Sequence, residues 1–299
     1  MNSANIKAIW LSSRPPFLIL TPSCIFLSYA LAIKHGYIVN HLYLALAITA
    51  ALLAHISVNL LNEYHDFKSG LDLKTSKTPF SGGSGSLVAF PKALKAIYKA
   101  GVITLLLCTL IGLYLTYALG TKLLPLGILG VLIVLTYTPW INKLAWICLI
   151  APGLAFGPLM ILGCYFVLTE QYDYKVIILT LIPFFLINNL LLLNQIPDIK
   201  ADASVGRKHL LIQYGPALGL KVYAAFTLLS ILVLLSAIYA GYLPTSALIA
   251  LLPLFACVIS FVGVQKNINN HAKLNPYLAI NVIAAISTPI IMSLCILSS

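Results

Sequence analysis

Two short polar clusters hold five of the seven acidic residues in a chain of 299. The first runs Asn62-Glu63-Tyr64-His65-Asp66-Phe67-Lys68-Ser69-Gly70-Leu71-Asp72, and the second Asn194-Gln195-Ile196-Pro197-Asp198-Ile199-Lys200-Ala201-Asp202. Each contains an Asn followed four residues later by an Asp, a step that puts both side chains on one helix face, about one turn apart. Gly70 lets the chain turn, so that Asp72 can fold back toward Asp66. In the second cluster the step occurs twice, through Asn194, Asp198 and Asp202. Pro197 interrupts that helix just before Asp198 and frees backbone groups there. Amide and carboxylate oxygens are the hard ligands that Mg2+ takes, a few from protein and the rest from water and phosphate. The candidate metal ligands are therefore Asn62, Asp66, Asp72, Asn194, Asp198 and Asp202. Facing one another, the two clusters would grip a divalent cation and a phosphate group.

Cations follow each cluster: Lys68, Lys74 and Lys77 after the first, Lys200, Arg207 and Lys208 after the second. With Mg2+ they would neutralise a diphosphate and stabilise it as a leaving group. Lys68, Lys77, Arg207 and Lys208 are the candidates for that role, although such residues also serve as topology determinants. The stretch Ser81-Gly82-Gly83-Ser84-Gly85 can offer backbone N–H groups to an anion; by composition it reads equally as a flexible linker. Tyr137, in Tyr-Thr-Pro-Trp, is an interfacial anchor by residue type and a cation–π partner for a carbocation by chemistry. His65 has no further nitrogen or sulfur ligand placed for zinc. Nucleophile elbow, Walker loop and dinucleotide fingerprint are all missing from the sequence.

The elements that must position these residues are set by lipid. The chain is 61% hydrophobic and 8% charged, with a mean hydropathy of +1.00, where a soluble domain carries about 25% charged residues. Apolar windows of about 20 residues fall at 15–33, 40–61, 99–119, 123–141, 145–168, 175–196, 220–240, 245–264 and 277–297. The expected fold is all-α: a polytopic membrane protein of nine transmembrane helices around a central cavity capped by cytoplasmic loops, with residues 1–299 forming a single integral-membrane domain. Lys7 and Arg14 precede the first window, which is longer than a secretory signal core and reads as a retained helix. The outside loops would hold only Lys34, Lys122 and Lys175 of the 18 Lys and Arg, which puts the amino terminus and both acidic loops in the cytoplasm. A net charge of +11 is then explained by topology and anionic lipid rather than by nucleic acid. The six cysteines all lie in apolar runs and form no metal or disulfide pattern.

With these motifs in view, the chain resembles the UbiA superfamily of intramembrane aromatic prenyltransferases. Members carry two aspartate-rich motifs, after helices 2 and 6 of a nine-helix fold, and Asn62 to Asp72 and Asn194 to Asp202 look like them. Gly206-Arg207-Lys208 continues the second motif. Similarity extends to Arg14-Pro15, Tyr137-Thr138-Pro139, Phe156-Gly157-Pro158-Leu159 with Gly163, and Leu274-Asn275-Pro276. Gly70, Asp72 and residues 81–85 look most like the 1,4-dihydroxy-2-naphthoate polyprenyltransferases of menaquinone synthesis. Relatives usually follow the helix-4 tyrosine with a paired proline and an Arg-Gly-Leu-Gly-like segment, where this chain has Trp140-Ile141-Asn142-Lys143-Leu144.

The resemblance implies an enzyme of the cell (inner) membrane that transfers a prenyl chain from a polyprenyl diphosphate to an aromatic acceptor, with Mg2+ as cofactor. Asp66 and Asp198 would hold the metal-bound diphosphate, and Tyr137 would face the allylic cation. Alternatives are a family member acting on another acceptor such as 4-hydroxybenzoate and, in a different class, a secondary transporter. Transport predicts acidic residues deep inside spans, whereas here they gather at the ends of two spans on one face.

Overall fold

The computed structural model describes residues 3–75 and 77–299, and among these the chain is helical, with no strand. Thirteen α-helices follow one another: α1 (Ser3–Ser12), α2 (Leu20–Lys34), α3 (His41–Lys68), α4 (Ser86–Ala89), α5 (Leu94–Leu119), α6 (Leu124–Thr136), α7 (Ala145–Leu154), α8 (Met160–Thr169), α9 (Tyr174–Asn194), α10 (Ile199–Ser204), α11 (Leu210–Tyr239), α12 (Leu251–Asn267) and α13 (Asn275–Leu297). A π turn, Ala155–Leu159, joins α7 to α8.

Among the described residues, seven helical segments are long and apolar enough to cross a membrane: His41–Lys68, Pro91–Leu119, Ala145–Thr169, Tyr174–Asn194, Leu210–Tyr239, Thr245–Asn267 and Asn275–Leu297. Segments Ser3–Phe17 and Leu20–Lys34, bent by 49°, make an eighth if counted as one span. The expected count of nine is not reached, for two local reasons. Arg14 has φ 53° and precedes two prolines, which lack the N–H a continuous helix needs, so the first window breaks and α2 keeps only 15 residues. The window at 123–141 loses its end to the turn at residues 137–140, which contains Pro139, leaving α6 at 13 residues. That is about 20 Å of helix against about 30 Å of hydrocarbon.

Packing places α9 innermost: 67% of its most apolar window is buried, against 11% for Pro91–Leu119. It lies against α7, α11 and α13, while α3 runs along α5 and α2 sits between α13 and α8. The outward faces of α5, α11 and α12 expose Leu106, Leu110, Leu232, Leu252 and Phe255, as lipid-facing helices do. Helix contact within lipid depends on close approach of small residues, and α7 supplies it. A Cβ added at Gly153 would sit 2.3 Å from the Phe184 carbonyl oxygen of α9. The Gly153 N–H instead donates to Asn188 Oδ1 at 2.7 Å. This contact sets how closely α7 packs on α9, the helix whose end opens the second acidic cluster.

Both acidic clusters leave the bundle at one end, where Lys74 Nζ donates to Ser204 Oγ across the two loops at 3.3 Å. At the other end Tyr172 Oη donates to the Lys122 carbonyl at 2.8 Å and Lys34 Nζ to Ser299 Oγ at 2.9 Å.

Candidate active site

A cavity of about 650 Å³ runs from the two clusters into the bundle. Its mouth is polar, with Asn62, Asp66, Asp72, Asn194, Asp198, Asp202 and Arg207 all in the wall, and its length is apolar, with Leu105, Leu113, Ile128, Leu132 and Val167 among the lining residues. Leu113, Ile128 and Leu132 line it and are each at least half exposed, so the apolar part opens sideways between α5 and α6.

Arg207 ties the two clusters together. It follows Gly206, whose φ of 83° turns the chain after α10 back over the mouth. The guanidinium donates to Asp66 Oδ1 at the end of α3 and to Asp202 Oδ1 on α10 at 2.8 Å. Asp202 Oδ2 lies 3.1 Å from His209 Nε2. Asn62 Nδ2 donates to Asp66 Oδ2 at 2.9 Å, and Thr138 Oγ1 donates to Asn62 Oδ1 at 3.0 Å. Burial lowers the Arg207 pKa, but Asp66 and Asp202 outweigh it and hold the guanidinium above its usual value.

The glycine-serine segment after the first cluster folds over the mouth. The Gly82 N–H donates to Asp198 Oδ2 at 2.8 Å. Glu63, fully buried, accepts from the Ser84 N–H at 3.1 Å and from Ser86 Oγ at 3.3 Å. Arg14 stands 3.8 Å from the same carboxylate and lines the cavity. Gly83 has φ 70°, and a Cβ there would meet Asp72 Oδ1 at 3.0 Å, so only glycine lets the backbone pass this close to the acid. Burial, with Glu63 and Asp66 nearby, pushes the Asp72 carboxyl up to about 7. Burial also raises Asp198 to about 6, against the pull of the Gly82 N–H.

The six candidate ligands divide by what their oxygens already do. Those of Asn62, Asp66 and Asp202 are engaged by protein donors. Asp72 Oδ2, Asn194 Oδ1 and Asp198 Oδ1 are buried without a hydrogen-bond partner, a costly state that a cation would relieve. No group of three His, Cys, Asp or Glu converges on a metal position among the described residues. Three unpartnered oxygens without a full cage fit a hard cation that takes its remaining ligands from water and phosphate.

Among the candidate cations only Arg207 is in the cavity wall. Lys68, Lys77 and Lys208 are exposed: Lys68 Nζ lies over the Tyr64 ring at 5.8 Å, and Lys77 Nζ donates to the Ser84 carbonyl. Tyr137 lines the cavity, next to Asn142. The sequence singled out neither Glu63 nor His209 as a site residue. Glu63 had a readable signal, since a carboxylate in an apolar helix requires a partner. His209 had none, because its contact with Asp202 spans a turn whose geometry no spacing rule gives.

Residues 21–283 match the sequence model of the UbiA prenyltransferase family, and the chain belongs to that family. It is 28% identical over 211 residues to the 1,4-dihydroxy-2-naphthoate octaprenyltransferase of Bacillus subtilis (strain 168), a match covering 70% of this chain and 66% of that protein. It is 28% identical over 234 residues to the protein of the same name from Escherichia coli (strain K12), covering 75% and 74%. Its fold is similar to that of a UbiA homologue from Archaeoglobus fulgidus bound to GPP and Mg2+, with a TM-score of 0.66 and 14% identity over 97% of this chain and all of the other.

Proposed function

We propose that the protein transfers a prenyl chain from a polyprenyl diphosphate to a hydroxylated aromatic acceptor within the membrane, the acceptor being of the 1,4-dihydroxy-2-naphthoate type used to make menaquinone. The observation that carries this reading is the convergence of the two acidic clusters, from α3 and from α9–α10, on one mouth of a long apolar cavity. A diphosphate is recognised at the mouth, and its isoprenoid tail lies in the apolar length, which reaches lipid between α5 and α6. The names of the bacterial relatives and the ligands of the archaeal homologue support the same assignment.

Asp72, Asn194 and Asp198, with their unpartnered oxygens, would hold Mg2+. The metal supplies charge neutralisation to the diphosphate as it leaves. Arg14 and Arg207, the cations of the wall, add to that stabilisation, and exposed Lys68, Lys77 and Lys208 keep the rim positive. The C1–O bond of the donor breaks, and the diphosphate takes the electron pair. Tyr137 faces the allylic cation, and the apolar wall excludes water that would quench it. A ring carbon of the acceptor forms the new C–C bond and sheds a proton or carboxyl group. The mouth would face the cytoplasm of the cell (inner) membrane, on the charge asymmetry of the loops.

The test is to incubate the purified protein in lipid nanodiscs with a labelled polyprenyl diphosphate and a panel of aromatic acids, with and without Mg2+. A Mg2+-dependent prenylated naphthoate, identified by mass, is expected. Prenylation of 4-hydroxybenzoate alone would reassign the acceptor, and no diphosphate release from any donor would end the reading.

A further inference from the structure

The diphosphate end of the mouth carries carboxylates and cations, but its Tyr137 side is built differently. His209, 1% exposed, and Asn142, 7% exposed, both line the cavity. They are held side by side, because the Lys208 N–H donates to the Asn142 carbonyl at 3.0 Å. Each has a buried polar atom without a partner, Nδ1 of His209 and Oδ1 of Asn142. Asp202 Oδ2 accepts from His209 Nε2 at 3.1 Å, so a neutral imidazole in this place carries its proton on Nε2 and leaves Nδ1 as a lone-pair acceptor. Asn142 adds an amide oxygen, a second acceptor. Two buried acceptors without donors carry a desolvation penalty, and a ligand that brings donors removes it. A carboxylate brings none, and each free aromatic hydroxyl brings one, so two hydroxyls satisfy both acceptors.

We infer that His209 and Asn142 form the subsite that selects the aromatic acceptor, taking hydrogen bonds from its free hydroxyl groups. The inference rests on the prenyl-transfer reading above and adds the feature of the ring that is recognised. A site built to accept from a hydroxyl rejects an analogue that lacks it far more strongly than an apolar pocket rejects a missing methylene.

The experiment compares kcat/KM for 1,4-dihydroxy-2-naphthoate with that for its two mono-O-methyl ethers, using one prenyl diphosphate and protein in nanodiscs. The native protein should prefer the free diol by at least tenfold over one of the ethers. His209→Gln keeps a group at the Nε2 position for Asp202 and loses the one at Nδ1, whereas His209→Asn does the reverse. The preference should collapse in His209→Gln and persist at least in part in His209→Asn. If His209 serves only to hold Asp202, the two variants behave in the opposite order or lose the preference equally, and the inference is overturned. Equal use of ethers and diol by the native protein overturns it as well. Should either variant fail to fold, Asn142→Leu decides: a loss of preference of tenfold or more supports the subsite, and an unchanged ratio refutes it. If the native protein prenylates no aromatic ring, the underlying reading has failed and the inference falls with it. Transfer to other aromatic acceptors without discrimination between hydroxyl and ether leaves prenyl transfer standing and removes only the subsite.

Discussion

Replacing Arg207 with Met removes the side chain that joins the two acidic clusters. Its guanidinium bridges Asp66 and Asp202, and the three side chains are 17%, 8% and 3% exposed, so water does little to screen the charges. Deleting one partner of a buried ion pair costs about 3–5 kcal/mol, because the remaining charge is left uncompensated; here two carboxylates lose their counter-cation together. The expected loss at pH 7.5 is therefore about 3–5 kcal/mol in unfolding free energy, measured by steric trapping in bicelles. The mechanism also predicts a recovery. Asp66→Asn and Asp202→Asn added to Arg207→Met remove the stranded charges, and most of the loss should return even though no salt bridge does. A loss below about 1 kcal/mol would place these charges in solvent-like surroundings. A triple variant as unstable as Arg207→Met alone would show that the guanidinium acts through packing, and either result refutes the argument.

Three further outcomes are expected. Asp72 and Asp198 are raised to about 7 and about 6, so a cation must displace their protons at lower pH. Binding of Mg2+ with diphosphate, followed by calorimetry, should strengthen from pH 5.5 to 7.5 and then level, and a flat profile would contradict it. Stability of the ligand-free protein carries the opposite sign: these folded pKa values lie above the ordinary 3.8, the folded state holds protons the unfolded state has lost, and stability falls as pH rises from about 4 to about 7. Gly153→Ala, whose Cβ would meet the Phe184 carbonyl oxygen at 2.3 Å, should cost about 1–3 kcal/mol by overpacking; unaltered unfolding would show that α7 moves freely. Glu63→Gln removes the negative charge and leaves one acceptor oxygen where the carboxylate has two, for the Ser84 N–H and Ser86 Oγ, so proteolysis within residues 81–86 should quicken and KM for the prenyl diphosphate should rise about tenfold, the effect of one lost charge-assisted bond; an unchanged digestion pattern would separate Glu63 from the loop.

Local chemistry made much of this protein readable in one dimension. Lipid demands runs of apolar residues, so the helices announced themselves, and carboxylates within such a chain stood out because each is expensive there. The four-residue steps from Asn62 to Asp66 and from Asn194 to Asp198 and Asp202 needed only helix geometry. Other features depended on residues far apart in the chain. Whether 123–141 spans the bilayer turned on where the chain leaves the helix, at the turn after Thr136. Which candidate cations reach the mouth turned on a single bend at Gly206, which brings Arg207 inward and leaves Lys208 outside. The glycine-serine run could be linker or anion cradle by composition, and became a lid only through Glu63 and Asp198, 21 and 116 residues away from the atoms they bind. Periodicity and composition report what each segment wants from its solvent. Partner choice across the bundle is decided by packing, and so the unpaired oxygens of Asp72, Asn194 and Asp198, and the acceptors of Asn142 and His209, line one cavity only once the helices have met.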